Sequence, residues 1–362
     1  MATNPSVAAV AFPSSPPAAI YIALGVLAAA LAQTIAHSYR VSFSGVGDSC
    51  CVSDWLINYS GGFVRRGLSG TCILWIARIL GTSPRAIVFA VLAVCYTLFF
   101  VSLAVLVARA RKLDWLELLL AVSPFATLFP AFHPVAGQRK EILMLSLAAV
   151  AGATGLGRLD SVAKYIGWSL VFAAIVAIHD GSIFFLPLFI IYLRIVTPPA
   201  SAMGYRAALL LLPATAVFFM GYIRSGSVDV ATICATIEAG AKGNWCGAGS
   251  AVAWLNANAT YGVESVIRGY TASSTVFVTG TLLPGLAGLM PALATLRTDR
   301  AAVHRAVADL PLKQLFVGLS GLSIAVLFCV ADDGNRWFYI TTVFLTLMHF
   351  SIRRSAIPGM DA

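Results

Sequence analysis

Five polar segments interrupt an otherwise apolar chain: 47–70 (GDSCCVSDWLINYSGGFVRRGLSG), 133–141 (HPVAGQRKE), 178–182 (IHDGS), the stretch 224–269, and 331–339 (ADDGNRWFY). Each carries side chains suited to one kind of chemistry. Asp48 and Asp54 precede the run Gly61-Gly62-Phe63-Val64-Arg65-Arg66-Gly67. A carboxylate there can act as a general base on an attacking hydroxyl, and Asp54 is the preferred candidate. Adjacent arginines framed by glycines suit an anion, because guanidinium groups fork onto phosphate oxygens and glycines let backbone N–H groups approach. The plainer roles are an N-cap for Asp54 and lipid-headgroup anchoring for Arg65 and Arg66.

The second segment places His133 before Gln138-Arg139-Lys140-Glu141. Gln138, Arg139 and Lys140 read as a phosphate or pyrophosphate clamp, with Glu141 neutralising a cation or sitting favourably at a helix start. His179-Asp180-Gly181-Ser182 is a candidate proton relay, or a cap for the helix that follows. Asp332, Asp333, Arg336 and Trp337 add two acids, a cation and a ring. Trp337 can stack on a sugar face or sit in an interfacial aromatic belt.

These groups need elements to hold them, and composition says which. The 362 residues are 59% hydrophobic and 11% charged, with a mean hydropathy of +0.87. Soluble domains average roughly 25% charged. A soluble enzyme, a disordered chain and a nucleic-acid-binding domain are therefore excluded, despite the formal charge of +9. The pattern predicts an all-α polytopic membrane bundle forming one domain over 1–362, with about ten spans: 18–36, 86–108, 115–132, 142–157, 166–178, 182–196, 207–223, 271–296, 314–330 and 338–351. The segment before the first span has no Lys or Arg, so it is read as an uncleaved helix rather than a signal peptide. Arg109, Arg111, Lys112, Arg353 and Arg354 anchor short loops and put both termini in the cytoplasm.

That orientation puts all five polar segments on the outer side. Charges near bilayer depth cost several kcal/mol unless paired or wet, so their convergence marks a site. Two outer loops are large, about 37–85 and 224–269. The first contains an apolar stretch, 72–80, too short to span and suited to lie at the interface. The second carries Cys234 and Cys246, which form either a disulfide or two free thiols. No cysteine spacing suggests a metal site, and no repeat or linker divides the chain. No cofactor is predicted, and the need for a divalent metal stays open.

The layout resembles membrane glycosyltransferases of the GT-C superfamily: a first helix, a large outer loop with an early acid and an interfacial helix, then many spans. The NYSGGFVRRGLSG and DDGNRW segments are similar to those of bacterial proteins of surface-polysaccharide assembly, including polymerases of lipid-linked repeats. The resemblance implies transfer from a polyprenyl-(pyro)phosphate-linked sugar at the periplasmic face of the inner membrane, with Asp48 or Asp54 as base. Partners would be the polyprenyl-linked saccharide, membrane lipids and other polysaccharide-assembly proteins. Two departures are plain: the early acids lie six residues apart, and no large C-terminal soluble domain follows. The alternatives are a transporter or flippase of a lipid-linked or anionic substrate, and an acyl or phospho-group transferase using His133 or His179 as base.

Overall fold

The computed structural model describes residues 18–43, 49–110, 113–133, 135–197, 206–224, 228–240, 245–247, 250–252, 255, 263–264, 266–268, 278–298, 300–308, 313–330 and 334–355. Among these, regular structure is entirely helical. In chain order the helices are α1 (Ala18–Phe43), α2 (Ser49–Leu56), α3 (Gly67–Leu80), α4 (Pro84–Arg109), α5 (Trp115–Ala121), α6 (Phe129–Phe132), α7 (Glu141–Thr154), α8 (Val162–Ile178), α9 (Leu186–Val196), α10 (Arg206–Arg224), α11 (Val230–Gly240), α12 (Leu283–Thr298), α13 (Arg300–Ala308), α14 (Lys313–Val330) and α15 (Gly334–Ser355).

Local sequence explains the boundaries. Ser83 caps α4 by accepting the Ala86 N–H at 3.3 Å, and Pro84 occupies the first helical position, where its missing N–H costs nothing. Gly81 and Gly155 end α3 and α7 in the left-handed conformation. The expected span 115–132 is not one helix. Asp114 and Glu117 start α5 with a reciprocal capping box, at 2.7 and 2.8 Å. The helix then stops at Ala121, ahead of Ser123-Pro124. Thr127 Oγ1 takes up the freed Ala121 carbonyl at 2.7 Å, and α6 begins with Pro130 in its first turn.

Among the described residues, three helical stretches are long and apolar enough to cross a membrane: Ala18–Phe43, Pro84–Arg109 and Thr279–Thr298. Only 28% of the first and 22% of the third are buried within the protein. Their outer faces show Tyr21, Ile22, Leu286, Met290 and Leu293. Exposed apolar surface on this scale is compatible with a lipid environment. Helices α7 and α9 are the reverse case. At 14 and 11 residues they are shorter than the roughly 20 residues a span needs, yet almost every side chain is buried. They form the core with α4 and α15.

Helix α1 packs along α4, α4 along α7, α8 along α10, and α12 along α15. Helices α8 and α9 form a hairpin. Phe172 and Phe189 meet at 5.2 Å, and the Leu159 N–H reaches Thr197 Oγ1 at 3.0 Å at its base. The tip, a 3₁₀ turn over Asp180–Phe185, lies at the other end. Helices α7, α9 and α15 approach closely at Gly152, where a Cβ would overlap the Tyr192 hydroxyl.

Charged groups fall at two levels. At the base, the C-terminal end of α4 meets that of α7 through Arg109, whose Nη1 donates to the Ala153 carbonyl at 2.5 Å. There Glu117 Oε1 receives His349 Nε2 at 3.0 Å and Arg353 Nε at 2.9 Å. The other level holds Glu141 and Arg336. Thirteen residues of α15 between Arg336 and His349 separate the two by about 20 Å, and twelve residues of α7 by about 18 Å. Removing the shared carboxylate at the base strands a buried imidazole and a guanidinium. Glu117→Gln is expected to lower stability by about 3 kcal/mol, the low end for a broken buried pair because Arg353 is 44% exposed. Thermal unfolding in detergent measures it, and an unchanged midpoint would contradict the pairing.

Candidate functional site

The upper level is built from five segments. After α2 the chain makes a 3₁₀ turn over Tyr59–Gly61, capped by Asn58, which accepts the Ser60 N–H at 2.9 Å. Gly62 then takes φ 113°, open to glycine and costly for other residues. Arg66 follows at φ 66°. A non-glycine residue there costs roughly 1 kcal/mol or more, and it persists only when its surroundings hold it. What holds it is ionic. Arg66 Nε donates to Asp180 Oδ1 at 2.5 Å, and Arg66 Nη1 lies 3.6 Å from Asp54 Oδ1. Arg65 approaches the second Asp180 oxygen at 3.6 Å and stacks on the Tyr222 ring of α10 at 5.1 Å.

Lys140 joins the remaining pieces. Its side chain is fully enclosed. Nζ donates to the Ile178 carbonyl at 3.1 Å and the Arg66 carbonyl at 3.5 Å, and lies 3.7 Å from Asp54. One ammonium thereby ties α2, the arginine turn, the start of α7 and the α8–α9 tip. Next along α7, Glu141 Oε1 meets His179 Nε2 at 2.9 Å and Arg336 Nε at 3.0 Å. Arg336 also lies over the Trp337 ring at 4.1 Å. Arg139 acts electrostatically on both Asp54 and Glu141.

The balance is uneven. Among the described residues, Arg65, Arg66, Arg139, Lys140 and Arg336 face Asp54, Glu141 and Asp180, five cationic side chains to three carboxylates, with His179 beside them. Burial pushes the Asp54 carboxyl up, but Lys140, Arg66, His179 and Arg139 together hold it below the usual range. Asp180 behaves alike: burial opposes ionisation, and Arg66, His179 and Arg65 overcome it. For Lys140 burial dominates over the pull of Asp54, and the ammonium is brought down to about 8.

The network is sunk into the bundle. The Tyr96 hydroxyl, twelve residues along α4, donates to the Ala136 carbonyl at 3.4 Å. That puts the loop before α7 about 18 Å below the start of α4. A small recess of about 10 Å³ reaches it, lined by Tyr59, Phe63, Arg65, Arg66, Asp180 and Phe218 among others. Asp180 therefore faces the opening, whereas Asp54 is 2% exposed behind it. The segment beyond α10 roofs α2. The Asp229 N–H donates to Gly61 O at 2.9 Å and the Ala251 N–H to Ser53 Oγ at 3.2 Å. A disulfide joins Cys234 to Cys246 within it, with Cα atoms 5.9 Å apart.

Several expectations change here. Asp54 is not an N-cap; it lies inside α2. Arg65 and Arg66 turn inward to carboxylates rather than out to headgroups. Asp180 Oδ1 accepts the adjacent Gly181 N–H at 2.9 Å, but its main partner is Arg66, and Ser182 Oγ caps nothing. Trp337 belongs to no interfacial belt: it is 1% exposed and lies 6.1 Å from the Phe185 ring. His133 stands apart from the ions. Its Nδ1 accepts the Ala136 N–H at 3.2 Å, and its ring stacks on Phe129 at 5.0 Å. Gln138 donates to Ser38 Oγ of α1 at 3.0 Å, and its backbone carbonyl takes the Trp55 indole N–H at 2.7 Å. Asp48, Asp332 and Asp333 lie outside the described residues.

Sequence reasoning underweighted Glu141, the shared anion of His179 and Arg336. Its Oε2 is buried with no donor among the described residues, as is Gln138 Oε1. Buried acceptors of this kind call for donors. No cluster of His, Cys, Asp and Glu among the described residues is arranged to hold a metal. Fold and site together define an all-helical protein with membrane-compatible surfaces and a recessed, net-cationic polar centre. No family model, curated protein or solved structure matches the chain.

The state of Lys140 gives a signed pH dependence. The native ammonium loses its proton near pH 8, whereas the unfolded chain keeps it to about 10.4. Between those values the unfolded state binds more protons, so the contribution of Lys140 to stability rises with pH. The stability of the wild type relative to Lys140→Met is therefore expected to increase across that window. Thermal melts in detergent at stepped alkaline pH check this, and parallel pH profiles for the two proteins would contradict it.

Proposed function

We propose that this chain is a membrane-embedded glycosyltransferase or polysaccharide polymerase that uses a polyprenyl-(pyro)phosphate-linked sugar. The reading places it in the bacterial inner membrane, with both termini cytoplasmic and the ionic centre towards the periplasm. The span count is about ten, with α7 and the α8–α9 hairpin as short segments packed inside longer ones. The resemblance to GT-C enzymes and to proteins of surface-polysaccharide assembly gives the reaction class. The observation that carries it is the meeting of Arg65 and Arg66 with Asp180 at a recess, backed among the described residues by buried cations that outnumber the carboxylates. A phosphate takes Arg65 and Arg66 at the recess, and the tail lies among apolar helices.

The chemistry follows from competition for the arginines. In the resting network Asp180 is a weak base because Arg66 and Arg65 hold its charge. A substrate phosphate that binds those guanidinium groups draws them away and raises the proton affinity of Asp180. The acceptor hydroxyl then gives its proton to the Asp180 carboxylate as its oxygen attacks the anomeric carbon. The bond from that carbon to the phosphate oxygen breaks, and the phosphate leaves with the electron pair. Arg65, Arg66, Arg139 and Arg336 stabilise the charge it gains. Asp54, enclosed behind, positions Lys140 and Arg66.

Complementation of a deletion strain tests the reading. Arg66→Gln, Arg139→Gln, Arg336→Gln and the isosteric Asp180→Asn are each expected to reduce polymer by about 100-fold while the protein still inserts. Normal yield and chain length in all four would defeat the proposal. The lipid-linked species left in the deletion strain separates the two activities. Complete single repeats mean a polymerase, and a repeat lacking one sugar means a single-sugar transferase.

A further inference from the structure

A second hollow lies away from the ionic network. Helix α3, the turn into α4 and helix α11 enclose a cleft of about 700 Å³. Its walls are small: Ala77, Gly81, Ala235, Ala239 and Gly240 leave the space that larger side chains would fill. Packing fixes its width, since a Cβ on Gly240 would stand 3.2 Å from Pro84. Thr82, Thr232 and Thr236 bring hydroxyls to it, and Arg78 brings a charge.

Arg78 is the telling residue. Its guanidinium makes no ion pair or side-chain hydrogen bond with any described residue. Neighbouring Arg85 differs, lying over the Trp245 ring at 4.2 Å. Alongside the cleft, α3 exposes Trp75, Ile79 and Leu80 while burying Ile73 and Ala77. Such a face suits a lipid boundary, with a long basic side chain able to reach headgroup level. The opposite wall is anchored to the arginine turn. Thr236 Oγ1 donates to Ser60 Oγ at 3.0 Å, and the Asp229 N–H reaches Gly61 O at 2.9 Å. Gly61 itself has no room for a side chain, because a Cβ would overlap the Asp229 carbonyl. Ser60 lies five residues before Arg65, so the cleft and the ionic centre share one loop.

We propose that the cleft between α3 and α11 is a second binding site, which seats the phosphate of a lipid-linked acceptor on Arg78. A transfer between two lipid-borne saccharides needs two anion sites at headgroup level, and in this respect the inference rests on the function proposed above. The donor phosphate occupies the ionic centre. The acceptor phosphate occupies the cleft, its chain runs along the apolar face of α3, and its saccharide extends over the Ser60–Gly61 turn.

Native mass spectrometry of the full chain in detergent, with farnesyl phosphate as probe, tests this. The wild type is expected to bind two equivalents. Ala235→Trp fills the cleft and should bind one, whereas Ala235→Ser keeps both. Arg78→Gln should weaken one equivalent by about tenfold, and Arg66→Gln the other. Undiminished binding in Ala235→Trp, with an unchanged melting temperature, overturns the cleft. So does equal displacement of the probe by phosphatidylglycerol, which would mark a general headgroup surface. If Arg66→Gln keeps both equivalents while Ala235→Trp loses one, the cleft stands and the donor site fails.

Discussion

A carboxylate stays ionised inside a helical bundle only if cations are brought to it. Desolvation of each ion costs several kcal/mol, and good mutual geometry is the only offset. Asp54, Glu141 and Asp180 impose this condition on the whole structure. Their partners come from the turn before α3, the start of α7, the α8–α9 tip and the start of α15. None of these segments can move without stranding a charge. The left-handed backbone at Arg66 and the enclosed Lys140 ammonium are consequences of the same demand. Among the described residues the cations outnumber the anions, which suits the network to a further anion.

This constraint explains why the core uses short helices. Helix α7 must begin where Glu141 reaches Arg336, well below the start of α4, and so it cannot extend across a bilayer. The α8–α9 hairpin must turn at the same depth to present His179 and Asp180. The longer α1 and α4 and the stretch Thr279–Thr298 carry much of the exposed apolar surface; α4 packs on α7, α1 on α4 and α12 on α15. The lower pair of contacts on Glu117 fixes the far end of α15, so that one helix is held by a buried glutamate at each level.

Much of this was legible in the sequence, for a physical reason. Charges that break apolar runs are expensive, so 65–66, 139–141, 179–180 and 336 stand out in the sequence. Their convergence followed from topology. The pairing did not. Which acid meets which base depends on separations such as 114 residues between Arg66 and Asp180, and no local pattern encodes that. The pairing of Glu117 with His349 and Arg353 has no local signal, because Glu117 and His349 each sit in a helix of mostly apolar residues and Arg353 reads as a loop anchor. Trp337 was misplaced for a similar reason: a Trp near a span end usually marks the interface, but Arg336 and Phe185 draw this one inward. The span at 115–132 was misread because its composition is apolar throughout, and only Pro124 and Pro130 announce the break.

On the proposed function, the buried network is an anion site poised by competition between carboxylates and a substrate. Calorimetric titration of pyrophosphate into the purified full chain, comparing Arg66→Gln with Asp180→Asn, is the most direct measurement. Loss of a cation should weaken binding, and loss of the competing carboxylate should tighten it, each by about tenfold. Absence of binding to the wild type, or weakening by both substitutions, would contradict it.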